Sequence, residues 1–113
     1  MMRLRTMIVL AAVLGSPLLA GAAMSAAMDD PPGVNIDNFS FAPEALVIAP
    51  GTRVTWTNRD DIPHTVTDAA GKMAFRSAAL DTGDAFSHVF DTPGTYHYFC
   101  SLHPKMQGTV VVR

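Results

Sequence analysis

Cys100, the only cysteine in a chain of 113 residues, is followed three positions later by His103 and three beyond that by Met106. A thiolate, an imidazole and a thioether therefore leave one short stretch, residues 96–106, which reads Tyr-His-Tyr-Phe-Cys-Ser-Leu-His-Pro-Lys-Met. These are the soft and borderline donors that suit copper, and a second imidazole completes a His2Cys plane with a weak axial sulfur. His64, in Ile-Pro-His-Thr-Val, is the candidate for that place. Zinc competes for such donors, but a thioether is a poor zinc ligand and structural zinc sites take four Cys or His donors.

Four histidines occur in all, which leaves His88 and His97 to be placed. His88 falls between Phe86 and Phe90 on an apolar face and reads as a packed histidine. His97 has the opposite strand parity to Tyr96, Tyr98 and Cys100 and reads as solvent-facing. Because the two point to opposite faces, a second metal site from the pair is not expected. That excludes a copper oxidase or nitrite reductase, which needs another copper and several more histidines, so no enzyme is expected. Met73, in Gly-Lys-Met-Ala-Phe, reads as core or surface filler.

The elements that must bring His64 to the Cys100 loop are strands. Residues 34–41 form a first strand in which Val34 and Ile36 share one parity and Phe39 and Phe41 the other, so a β-bulge is expected near Asp37-Asn38. A short apolar strand follows at 45–49 and is ended by Pro50-Gly51. Residues 52–57 alternate cleanly, with Val54 and Trp56 inward, and run into the polar loop Asn58-Arg59-Asp60-Asp61. His64 shares the parity of Val66 and points inward at a strand end. Residues 69–83 are irregular and long for a connection. Strands at 85–90 and 95–100, joined by Asp91-Thr92-Pro93-Gly94, and a last one at 107–113 close the pattern. Some seven or eight short strands with Pro-Gly turns, and no helical period after the N-terminal segment, predict an all-β, two-sheet sandwich in a single domain, with no internal repeat.

Residues 1–27 open with Arg3 and Arg5, run apolar from 7 to 14, break at Gly15-Ser16-Pro17 and end in small residues, the order of a secretory signal. Cleavage is expected after Ala22 or Ala27, leaving 28–113 as the domain. The apolar core of that segment is shorter than the roughly 20 residues a spanning helix needs, so no membrane insertion of the mature domain is expected. Formal net charge is −2 for the whole chain, and with Arg3 and Arg5 removed ten acids face six bases. No basic run remains to bind nucleic acid. A lone thiol in an oxidising compartment is a liability unless it is buried or metal-bound.

Asn58, His64 six residues later and the Cys-Ser-Leu-His-Pro-Lys-Met run together resemble the cupredoxins, the blue copper proteins, and most closely the amicyanin branch with its short Cys-x-x-His-x-x-Met spacing. The resemblance spans about residues 34–113 and includes Pro93-Gly94-Thr95-Tyr96. It implies a cupredoxin-like Greek-key β-sandwich holding one type 1 copper through His64, Cys100 and His103, with Met106 as a long axial ligand. It further implies that Asn58 ties the His64-side loop to Ser101, the residue after the cysteine. Electron transfer would be outer-sphere through an exposed His103 edge beside Pro104, and Asp60 and Asp61 near that end would steer a basic partner. A periplasmic electron carrier is the function expected, monomeric and serving redox proteins such as a periplasmic dehydrogenase or a c-type cytochrome. The short loop also implies that His103 can leave reduced copper and protonate. Periplasmic copper delivery, buffering or resistance is the alternative, disfavoured by the scarcity of Met and His outside the quartet. A metal-free sandwich serving as an interaction module is disfavoured by the intact quartet.

Overall fold

The computed structural model describes residues 32–71 and 74–113. The expected signal segment, its cleavage points and Met73 lie outside the described residues. Eight strands make up the fold, and no helix occurs among the described residues. In chain order they are β1 (Gly33–Asp37), β2 (Ser40–Ala42), β3 (Ala45–Ile48), β4 (Thr52–Asn58), β5 (Thr67–Asp68), β6 (Ala85–Phe90), β7 (Gly94–Cys100) and β8 (His103–Val112). One sheet has the order β2-β1-β4-β6 and the other β3-β8-β7-β5. Strands β1 and β4 run parallel, as do β3 and β8, while the remaining neighbours are antiparallel. The chain therefore crosses repeatedly from sheet to sheet, giving the two-sheet sandwich expected from its pattern with the Greek-key order that the resemblance implied.

Alternation explains the core. In β4 the inward set is Val54, Trp56 and Asn58, all fully buried, and its outward set is threonine and arginine. Trp56 lies at the centre, with its ring centroid 5.4 Å from that of Tyr98, 5.8 Å from Phe86, 6.2 Å from Phe75 and 6.3 Å from Phe90. Burying each such large side chain contributes about 1.5–3 kcal/mol. Phe75 and Leu80 come from the irregular stretch 69–83, which is tied down by isolated bridges His64↔Leu80 and Thr67↔Arg76. Asp68 orders the start of that stretch, accepting from Ala70 N–H at 3.0 Å and Ala74 N–H at 3.0 Å.

The expected β-bulge at Asp37-Asn38 is absent. The chain instead reverses there, β1 pairing antiparallel with β2 from Asp37↔Ser40 onward. Both residues of the two-residue turn have left-handed backbones, Asn38 at φ 51° and Phe39 at φ 56°, as a tight hairpin turn requires. The slip in parity between Ile36 and Phe41 is the signature of this reversal.

Tyr98 and Gly108 are cross-strand partners on β7 and β8, and the Tyr98 ring lies over the glycine. Burial pushes the Tyr98 phenol up to about 12. A methyl at position 108 would overlap that ring, and Tyr98 cannot swing away because Phe41 and Trp56 pack against it. Gly108→Ala is accordingly expected to cost about 1–3 kcal/mol by overpacking, read as a lower urea midpoint with unchanged slope.

His88 is half-buried against Phe75 and Phe90, at 5.2 and 4.8 Å between centroids. Burial lowers its imidazole below the ordinary 6.5, against the pull of the Asp91 and Asp68 carboxylates. As pH falls, the unfolded chain takes up this proton first, so stability falls from about pH 6.5 downward until the folded-state value is passed. His88→Gln should flatten the dependence of the urea midpoint on pH in that window relative to the parent; equal slopes would refute the assignment.

Candidate metal centre

Strands β7 and β8 are joined by the two-residue turn Ser101-Leu102, and Cys100 and His103 face each other across it as a cross-strand pair. A tight hairpin thus delivers the thiol and the first imidazole side by side. Immediately inside it the register jumps, from Cys100↔His103 to Phe99↔Gln107. Pro104, Lys105 and Met106 occupy that irregularity, and Met106 is turned inward and buried. The spacing that makes the sequence stretch distinctive is therefore a hairpin end plus a bulge.

His64 arrives from the other side. Asn58, at the end of β4 and fully buried, holds the loop: its amide donates to Ile62 O at 2.9 Å and to Leu80 O at 2.8 Å, and its Oδ1 accepts from Asp60 N–H at 2.9 Å. His64 then exchanges both backbone hydrogen bonds with Leu80, at 3.1 and 2.7 Å.

His64, Cys100 and His103 come together with their ligand atoms all within 4.8 Å of one another. The two imidazoles each present Nδ1 to the sulfur, at 3.7 Å in both cases. A metal bound at about 2.3 Å from sulfur and about 2.0 Å from nitrogen, with the bonds opened by about 120°, needs the donors about 3.7 Å apart. The spacing therefore fits a trigonal His2Cys plane. His64 and Cys100 are 0% exposed, whereas His103 is half-buried. It borders a shallow apolar depression of about 530 Å³ lined by Phe39, Leu102, Pro104, Lys105 and Met106.

The tie between the two ligand loops is made by Thr65, which the sequence did not single out. Its N–H donates to Cys100 Sγ at 3.3 Å, and its hydroxyl accepts from Ser101 N–H at 2.7 Å and lies 2.9 Å from Ser101 Oγ. Ser101 is thus bonded to Thr65. The Asn58 amide is instead engaged by Ile62 of the His64-side loop and by Leu80 of the stretch 69–83. A hydroxyl next to a ligand is the only signal the sequence offered, and it does not name its partner.

Asp60 also differs from expectation. It is turned inward, with Oδ2 2.7 Å from His64 Nε2 and a side chain only 13% exposed. The backbone N–H of Phe39 donates to it at 3.0 Å and that of Asn38 at 2.6 Å. Donation from Phe39 above all, then from Asn38 and His64, outweighs burial and holds the carboxyl down at about 2. A carboxylate so engaged is not a steering charge, and Asp61 alone of the pair remains exposed. Phe39 itself is 52% exposed, and its ring meets His64 and His103 nearly edge-on, with centroids 5.6 and 5.1 Å away. His97 is exposed and bonded to Thr109, far from any second donor cluster, and no other such group occurs among the described residues.

Comparison with known proteins agrees with this centre. Residues 31–113 match the model of copper binding proteins of the plastocyanin/azurin family. Amicyanin-alpha of Methylorubrum extorquens is 36% identical over 109 residues, covering 91% of this chain and 92% of the relative. Amicyanin of Paracoccus denitrificans is 37% identical over 82 residues, 70% of this chain and 63% of that protein. Among solved structures, a purple cupredoxin from Nitrosopumilus maritimus superposes with a TM-score of 0.68 at 39% identity, covering 73% of this chain and 99% of its own. A reduced amicyanin variant reaches 0.70 at 34% identity, with 75% and 84% covered. No helix of the described residues is long and apolar enough to cross a membrane. A trigonal His2Cys donor set in a Greek-key sandwich and the match across the whole described domain lead to one conclusion: the chain belongs to the plastocyanin/azurin family of copper-binding electron-transfer proteins, the cupredoxins.

Proposed function

We propose that the chain is a monomeric periplasmic electron carrier in which His64, Cys100 and His103 hold one type 1 copper and Met106 is its weak axial ligand. Bound copper supplies a one-electron Cu(II)/Cu(I) couple. The protein's part is to fix the donors, exclude water and provide a route for the electron. The observation that carries this reading is the asymmetry of burial: two of the three donors are sealed inside, and only His103 borders the surface depression. The route is therefore outer-sphere, through the His103 edge beside Pro104, with no substrate bound to the metal.

Each neighbour has a task in that scheme. The Thr65 N–H draws charge from the Cys100 thiolate, which favours the reduced form. The Asp60 carboxylate, accepting from His64 Nε2, fixes the tautomer in which Nδ1 is free to bind metal. Copper delivery or buffering, which needs an exchangeable site with an entry path, is disfavoured by the complete burial of His64 and Cys100. The signal-like segment 1–27 and the single protected thiol support export to the periplasm. A redox protein, a dehydrogenase as donor or a c-type cytochrome as acceptor, is the partner class that an apolar port of this size suits.

The copper(II) protein is expected to show an intense thiolate-to-copper charge-transfer band in the visible, abolished in Cys100→Ser; a colourless copper(II) protein would reject the electron-carrier reading. His103 is the donor with an outward face, and its release from the reduced metal with uptake of a proton would stabilise the reduced state. The midpoint potential should then climb as pH is lowered from about 8 to about 5, and a flat voltammetric profile would remove this step.

A further inference from the structure

Phe39 occupies a place that neither packing nor backbone preference explains. A bulky aromatic side chain at φ 56° is an outlier, since a Cβ is crowded in the left-handed region. It is also half in solvent, so it gains little from burial. Strain of this kind persists only where the surroundings over-determine it. The tight hairpin demands this backbone, and Asp60 fixes it, its two oxygens taking both N–H groups of the turn and the outer nitrogen of His64. Asp60 is itself held at both ends, its N–H donating to Asn58 Oδ1 at 2.9 Å and its carbonyl accepting from Thr82 Oγ1 at 2.5 Å. The turn so fixed carries the Phe39 ring against both imidazoles.

We propose that Asp60 and Phe39 form one positioning clamp on the two metal-binding histidines, an inference that rests on the ligand assignment above. Asp60 fixes His64 through Nε2 and at the same time holds the left-handed turn. The turn keeps the Phe39 ring against His64 and His103. His64, already enclosed, is set in tautomer and orientation. His103, which no described hydrogen bond holds on its outer side, is restrained by the ring instead. The negative charge behind His64 makes that imidazole a stronger donor, which favours Cu(II) over Cu(I).

The test uses Asp60→Asn and Phe39→Gly in the full chain. An amide side chain cannot accept from three donors, so in Asp60→Asn at least one of the Asn38 and Phe39 amides should exchange with solvent at least about tenfold faster, followed by NMR on the zinc-loaded protein. In the copper-loaded protein the preference for Cu(II) over Cu(I) should fall by about 10–100-fold, read as a rise in midpoint potential. Phe39→Gly relieves the backbone and removes the ring, so it should leave the Asn38 amide protected while the His103 ring resonances of the zinc form broaden. Unchanged exchange or an unchanged potential in Asp60→Asn would overturn the clamp, as would a His103 ring in Phe39→Gly as well ordered as in the parent. If Asp60→Asn does not fold, the Phe39→Gly arm decides alone. The zinc measurements do not depend on colour, so a missing thiolate–copper band would defeat the copper reading without being mistaken for failure of the clamp.

Discussion

Three donor atoms supplied by segments 36 residues apart must sit at one fixed spacing, and the fold is built around that requirement. A one-electron metal couple prefers different geometries in its two states, so a site that cannot relax toward either keeps the cost of switching low. Rigidity has to come from the frame, since the donors themselves are a hairpin end and a loop. The frame supplies it by closing each segment on the other: the His64–Leu80 exchange fixes one side, the Cys100–His103 cross-strand pair the other, and Thr65 to Cys100 and Ser101 binds them together. First-sphere groups locked by packing and by second-sphere hydrogen bonds are what a preorganised site requires.

That lock is only as firm as the sandwich beneath it. Trp56 joins the aromatic rings of both sheets, and Tyr98 sits over Gly108 two residues before Cys100 on the same strand. The same alternation that buries Tyr98 also buries Cys100, so the packing of β7 sets the depth of the sulfur. A sandwich of this size has little spare core. A bound metal that joins two distant segments adds stability by acting on the folded state alone.

What was legible in the sequence was whatever is encoded locally. The Cys100, His103 and Met106 spacing, the alternation of residues 52–57 and the Pro-Gly turns each carry their own signal, and the sandwich and metal centre follow from them. The features that were missed or misread depend on partners far along the chain. A phenylalanine in a left-handed turn contradicts local preference, and it is held by a carboxylate 21 residues away. Asp60 in a polar loop reads as a solvated charge because most such acids are, and only the fold shows three donors converging on it. Thr65 went unnoticed for the same reason: a short polar side chain beside a ligand does not say which loop it will reach. Phe75 and Leu80 lie in a stretch without periodicity, so their burial had no pattern to announce it.

A port at the His103 edge, as proposed above, would face opposing demands. An electron leaves most readily where the metal lies close to the surface, yet water at the site would loosen the donors and raise the cost of switching. A single imidazole edge set among the apolar side chains of Phe39, Leu102 and Pro104 would answer both, since it alone of the three donors borders the surface depression. With Asp60 drawn inward to serve His64 and Asn38-Phe39, the rim on that side loses a charge it would otherwise present. What that face keeps is an apolar lining with Lys105 as its charged member.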